Sequence, residues 1–230
     1  MKINKFLRRI AFLDFQGLHM ICRKILEFTQ EHILISDEIE ERIKNRIIPI
    51  KYPDFILQDF NISSSKLRER LIEHMGYVLL SKIWIEALSR WIGSRRCLEV
   101  MAGTGALTCE LRKCGVDIVA TDNYSWKKCN TWVHVDEIDA VEAVEKYKNV
   151  DILIMSWPPY QNDIAFEVLN KMRMVNPDCR MVYIGEEEGG CTANDKFFSL
   201  IEEIEDESFH KVKLEFQNWS GIHDRPFLIR

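Results

Sequence analysis

Leu98-Glu99-Val100-Met101-Ala102-Gly103-Thr104-Gly105-Ala106-Leu107 is the stretch on which the fold turns. It reads as a short buried strand carrying one carboxylate, a turn with two glycines, and the first residues of a helix. Glycine lacks the Cβ that keeps backbone and ligand apart, and a helix N-terminus presents free N–H groups. Nineteen residues beyond Gly103, Asp122 closes the next apolar run. A carboxylate there can accept both hydroxyl hydrogens of a ribose. The strand, turn and acid together point to a ligand built on a nucleoside.

Outward from this stretch, short apolar runs alternate with helical stretches from Arg95 onward, which predicts a parallel sheet built from βα units. Strands are expected at Cys97–Met101, Val116–Thr121, Trp132–Val135, Asp151–Met155, Arg180–Gly185, Lys211–Phe216 and Pro226–Ile229, with Trp219-Ser220-Gly221 turning the chain between the last two. Helices fill 106–114, 137–147, 163–174 and 194–205. The part before Arg95 is helical in pattern. Ile3, Phe6, Leu7, Ile10 and Leu13 share one helical face, and residues 18–47 read as one or two helices with an N-cap near Ser36-Asp37. Ser63 to Ser65 offer another cap, and a stripe from Leu67 to Ile92 runs to a stop at Gly93. Residues 1–93 are therefore expected to form a helical cap on a domain spanning 94–230.

The glycine turn is not a complete dinucleotide fingerprint, since Thr108 stands where a third glycine would pack the helix, which disfavours NAD. No Lys-Ser or Lys-Thr follows at the offset of a phosphate-binding loop. Glu99 would repel phosphate and suits a cationic amino-acid group instead. On these residues the chain resembles the class I S-adenosylmethionine-dependent methyltransferases. The resemblance rests on Glu99, Gly103 and Gly105, with Met101 in the place of the family's first glycine, where a side chain fits only if the backbone does not need a positive φ.

That resemblance implies an α/β fold, a Rossmann-like three-layer sandwich with seven mostly parallel strands and an antiparallel last strand, and S-adenosylmethionine as cofactor. It implies that Glu99 and the Gly103–Gly105 backbone hold the methionine part beside Met101 and Ala102. Asp122, with Asn123, would hold the ribose, and Asp136 with Glu137 would meet the adenine. A second stretch, Ser156-Trp157-Pro158-Pro159-Tyr160 after the fourth strand, is similar to the Pro-Pro-aromatic motif of methyltransferases acting on amino nitrogens. There a polar residue and the first proline carbonyl receive the target amine and the aromatic ring stacks on it. Ser156, Trp157, Pro158 and Tyr160 are the catalytic candidates, although Trp157 has no acceptor atom where the polar residue belongs and Ser156 lies one position early. Asp136, Glu186 or the Glu187-Glu188 pair would serve as a base where one is needed. Tyr124, Trp126 and Trp219 are candidate aromatic walls. Three readings stay open: a methyltransferase, a methyltransferase-like binding module without activity, and an NAD enzyme.

The remaining features narrow the class. The chain has 230 residues, 47% of them hydrophobic, with a formal net charge of -5. Residues 1–90 are slightly basic, and the acidic balance of the rest argues against a long nucleic-acid stripe. The 7 cysteines contain no C-x-x-C pair and the 6 histidines are scattered, so the thiols read as reduced core groups and no metal is expected. The start of the chain lacks a secretory pattern, which predicts a cytoplasmic protein. Tyr77–Ile92, broken by Lys82, Glu86 and Arg90, is too charged to span a membrane. His223-Asp224 reads as a surface turn, and Trp84 and Trp91 read as core. The acceptor and the oligomeric state are not legible.

Overall fold

The computed structural model describes residues 15–57, 62–126 and 128–230. The amphipathic stretch from Ile3 to Leu13 lies outside them. Four helices come first: α1 (Phe15–Lys44), α2 (Asp54–Leu57), α3 (Ile62–Met75) and α4 (Lys82–Ile92). Then follow β1 (Cys97–Val100), α5 (Ala106–Lys113), β2 (Ile118–Asp122), β3 (Asp136–Glu137), α6 (Ala140–Lys146), β4 (Ile152–Ser156), α7 (Ile164–Val175), β5 (Arg180–Gly185), α8 (Asp195–Phe198), α9 (His210–Glu215) and β6 (Arg225–Ile229).

The sheet runs β3-β2-β1-β4-β5-β6, parallel through β5 and antiparallel only at β6. This is the doubly wound order, which reverses between β1 and β4 and opens a crevice at the strands' carboxyl ends. Alternate residues of each strand face opposite layers. Ile152, Ile154, Val182 and Ile184 pack with Leu67, Trp84 and Leu88 of the helical segment. Leu153, Met155, Met181 and Tyr183 pack with α6 and α7 on the other side. The molecule is thus a three-layer α/β sandwich, and its N-terminal helices belong to one of the two cores.

Six strands form where seven were expected. Lys211–Phe216 alternates apolar and polar residues as a strand does, yet it forms α9, with Val212 buried and Leu214 exposed. Asp206 starts it: its carboxylate accepts from the backbone N–H groups of Ser208 and Phe209 and nucleates a 3-10 turn that leads into α9. Trp132–Val135 is also not a strand. Trp132 N donates to Thr104 O at 2.7 Å, and Arg46 donates to the carbonyls of Thr131 and Trp132, so these backbone groups are taken before a ladder can form. Strand β3 starts one residue later. The helix expected over 194–205 stops at Phe198, and Ile204 N instead donates to Leu228 O at 2.7 Å along β6.

In the helical segment, α1 continues through Ser36-Asp37 without a break. Ser36 bonds back to His32 O at 2.7 Å within the helix rather than capping a new one. Ser64 and Ser65 lie inside α3, and Ser64 Oγ donates to Ile56 O at 2.9 Å. Gly93 ends α4 at φ 60, the conformation its position demands. Among the described residues no helix is long and apolar enough to cross a membrane.

Candidate active site

The carboxyl ends of β1, β2 and β4 open into a cleft of about 930 Å³, within the range of small-molecule sites. Its floor is the glycine turn. Gly105 caps α5 at φ 67, and a Cβ there would meet Val133 Cγ2 at 2.9 Å and Val135 Cγ2 at 3.0 Å. Only glycine fits both the conformation and the space. Met101 stands at φ 54, so the expectation that its backbone avoids positive φ fails, and a side chain is held in the left-handed region beside the site.

Glu99 is buried, and its Oε2 accepts from Thr108 N at 3.1 Å and Thr108 Oγ1 at 2.5 Å. Burial pushes its carboxyl up to about 7, against the pull of those two hydrogen bonds. Asp122 clamps two turns: Oδ2 accepts from Gly103 N at 2.8 Å and Oδ1 from Tyr124 N at 2.7 Å. Both acids line the cleft with Met101, Ala102, Gly103 and Asn123, while Gly105 sits behind the turn.

Asp136 and Glu137 do not line the cleft. Asp136 is bound by Tyr147, by Lys146 at 3.2 Å and by His134 at 3.0 Å, contacts that hold its carboxyl below the ordinary carboxylate value. Glu137 pairs with Lys128 at 2.8 Å. Asp139 and Ala140, at the start of α6, occupy the cleft edge instead. Asp139 caps α6 by accepting from Val141 N, a signal the sequence carries in the polar residue just before the helix.

The Ser156–Tyr160 turn forms the opposite wall. Ser156 Oγ and Thr104 Oγ1 are buried with no hydrogen-bond partner, and both residues line the cleft. Trp157 is at φ 48, and its Nε1 donates to Asp224 Oδ2 at 2.9 Å. Of the pair expected as a surface turn, His223 is exposed but Asp224 is buried at 2%. Burial raises its carboxyl, opposed by hydrogen bonds from Trp157 and Asn218. The Pro158 carbonyl accepts from Ala193 N at 3.2 Å.

The candidate bases are otherwise engaged. Glu186 accepts from Cys191 N at 2.7 Å and His223 N at 3.1 Å, and Glu187 pairs with Arg225 at 2.8 Å. Of the expected aromatic walls, Tyr124 and Trp126 line the cleft, whereas Trp219 joins Trp84 and Trp91 in the core. Of the described cysteines, Cys97 and Cys179 are buried and Cys191 is exposed at the cleft. Among the described residues no cluster of three metal-ligating side chains occurs. Residues 72–78, from the end of α3 into the link to α4, also line the cleft, with no local sequence signal to mark them.

No protein-family model matches the chain, and no curated protein matches it. Among solved structures it is similar to magnesium protoporphyrin IX methyltransferase from Synechocystis PCC 6803 with bound SAM, at 9% identity over 75% of this chain and 86% of that one, with a TM-score of 0.46. It is similar to TrmN from Thermus thermophilus, at 14% identity over 66% of this chain and 49% of that one, with a TM-score of 0.44. It is also similar to a SAM-dependent methyltransferase from Archaeoglobus fulgidus, at 13% identity over 65% of this chain and 94% of that one, with a TM-score of 0.37. The chain thus spans about half the length of TrmN.

Proposed function

We infer that the cleft binds S-adenosylmethionine and that the protein transfers its methyl group to an amino or planar nitrogen of a second ligand. The observation that carries this reading is the convergence, at the switch point of the sheet, of the glycine turn, Asp122 and the Ser156–Tyr160 turn on one cleft. The residues present fit the group. The orphaned Thr104 Oγ1 wants a partner, Asp122 keeps acceptor capacity for ribose hydroxyls, and Glu99, with both its hydrogen bonds on Oε2, offers negative charge to an ammonium.

S-adenosylmethionine supplies a methyl group on a positively charged sulfur, already activated for displacement. The chain's own contribution is to bind, orient and exclude water. Ser156 Oγ would receive a hydrogen of the acceptor amine, and Tyr160, on the same wall, would face its ring. A second reading, a binding module without transfer, is favoured by one feature: Trp157 offers no acceptor atom and the Pro158 carbonyl is already shared with Ala193.

Calorimetric titration with S-adenosylmethionine, S-adenosylhomocysteine and NAD tests the first reading. Binding of the first two alone supports the donor site, and binding of NAD alone refutes it. Binding without methyl transfer to mixtures of nucleosides, peptides and amines favours the module.

A further inference from the structure

We propose that the methyl acceptor is a small aliphatic amine that carries an aromatic ring and no phosphate or carboxylate, and that the helical segment supplies part of the surface that selects it. The proposal rests on the methyl-donor reading and names the second ligand of the same site.

Charge carries the first half of the argument. Glu73, Glu99, Asp122 and Asp139 line the cleft, and among its described lining residues Lys128 is the one lysine or arginine. Its ammonium lies 2.8 Å from Glu137 in an exposed ion pair at the rim. With Glu99 and Asp122 engaged by the donor, a phosphate-bearing acceptor would still meet Glu73 and Asp139 against the single ammonium of Lys128, and in a site partly shielded from water that imbalance counts for more than in bulk solvent. Recognition of phosphate draws on clustered arginine or lysine, and the described lining offers one lysine. A protonated amine meets a favourable field on entry; it would lose a proton to solvent, after which its lone pair forms the C–N bond as the C–S bond of the donor breaks and S-adenosylhomocysteine leaves with the electron pair.

The rings carry the second half. Tyr77, between α3 and α4, stacks on Trp157 with centroids 5.2 Å apart and planes 15° apart. Arg68 of α3 lies 5.4 Å from the Trp157 ring centre. The far edge of Trp157 is tied to Asp224, which Asn218 holds at 2.8 Å. Moving the indole would leave the buried Asp224 Oδ2 without its Trp157 donor, which holds the wall in place. Tyr77 is 45% exposed and Tyr160 56%, and both line the cleft. Large rings open to a cleft accept a planar π-system by offset stacking. Ser156 Oγ, buried without a partner on the same wall, accepts from an amine N–H.

The test is calorimetric titration of the full chain, with and without saturating S-adenosylhomocysteine, using tryptamine, its anionic counterpart indole-3-propionate, and oligothymidylate. Tryptamine is expected to bind at least about tenfold more tightly than indole-3-propionate, the scale of one desolvated cation–ring or charge contact. Oligothymidylate is expected to give no heat. Tyr77→Ala should weaken tryptamine about tenfold, with S-adenosylhomocysteine affinity unchanged as the control for folding. The proposal is overturned if indole-3-propionate or oligothymidylate binds as tightly as tryptamine, if tryptamine fails to bind, or if Tyr77→Ala leaves its affinity unchanged. Should S-adenosylhomocysteine not bind while tryptamine keeps these preferences, the donor reading fails and the acceptor inference stands.

Discussion

Replacing Glu99 with glutamine isolates the cost of a buried acid at the centre of the site. Glu99 is 3% exposed, and burial raises its carboxyl from 4.5 to about 7. Between those two values the folded chain holds a proton that the unfolded chain has released. The contribution of Glu99 to stability is therefore greatest below about pH 4.5, falls as pH rises through the window, and levels off above about 7. The difference corresponds to a loss of about 3 kcal/mol once the carboxyl is ionised. Glutamine keeps the shape and can still accept from Thr108 N and Oγ1, but it has no proton to lose. The assay is urea denaturation of wild type and Glu99→Gln at pH 5, 6, 7 and 8. Their difference removes the histidines and every other group the two chains share. The variant should exceed wild type by about 1 kcal/mol at pH 5 and by about 3 kcal/mol at pH 8. A difference that stays flat across this range would refute the burial argument.

Three further substitutions probe the glycine turn and its clamp. Gly105→Ala places a Cβ against Val133 and Val135 at a positive φ, and should cost about 1–3 kcal/mol in denaturant titration. Met101→Gly relieves the left-handed strain at φ 54 while losing partly buried contacts; the net change should stay within about 1 kcal/mol, instead of the ~2–5 kcal/mol usual for truncating a core methionine. Asp122→Ala removes the acceptor for Gly103 N and Tyr124 N. It should lower S-adenosylhomocysteine affinity by about 1–3 kcal/mol, and unchanged affinity in protein shown to be folded would remove Asp122 from the ribose site.

Legibility followed the range of the interaction. The strands β1, β2, β4, β5 and β6 and the helices α5, α6 and α7 were readable because burial and helical periodicity repeat over a few residues. The glycine turn was readable because positive φ is a local demand. Lys211–Phe216 misled because a run of six residues alternating in polarity suits a strand as well as one face of a short helix, and the Asp206 cap outside it settles the matter. Asp136 was displaced from the cleft edge by one turn of chain: Tyr147, Lys146 and His134 bind it, leaving Asp139 in its place. The cap's share of the cleft carried no local mark, since nothing in residues 72–78 names the partner they face.

The sequence by itself determined five of the six strands, the helices α5, α6 and α7 between them, the turn with its paired glycines, and the acids Glu99 within the first strand and Asp122 at the end of the second, because each depends on backbone conformation or burial within a short window. The tertiary structure decided which polar groups remain available. Trp157 finds Asp224 67 residues away, and Arg46 reaches Trp132 across 86. Such pairings exist only after the sheet has brought distant segments together, and each one engages a donor whose partner no local pattern in the sequence names.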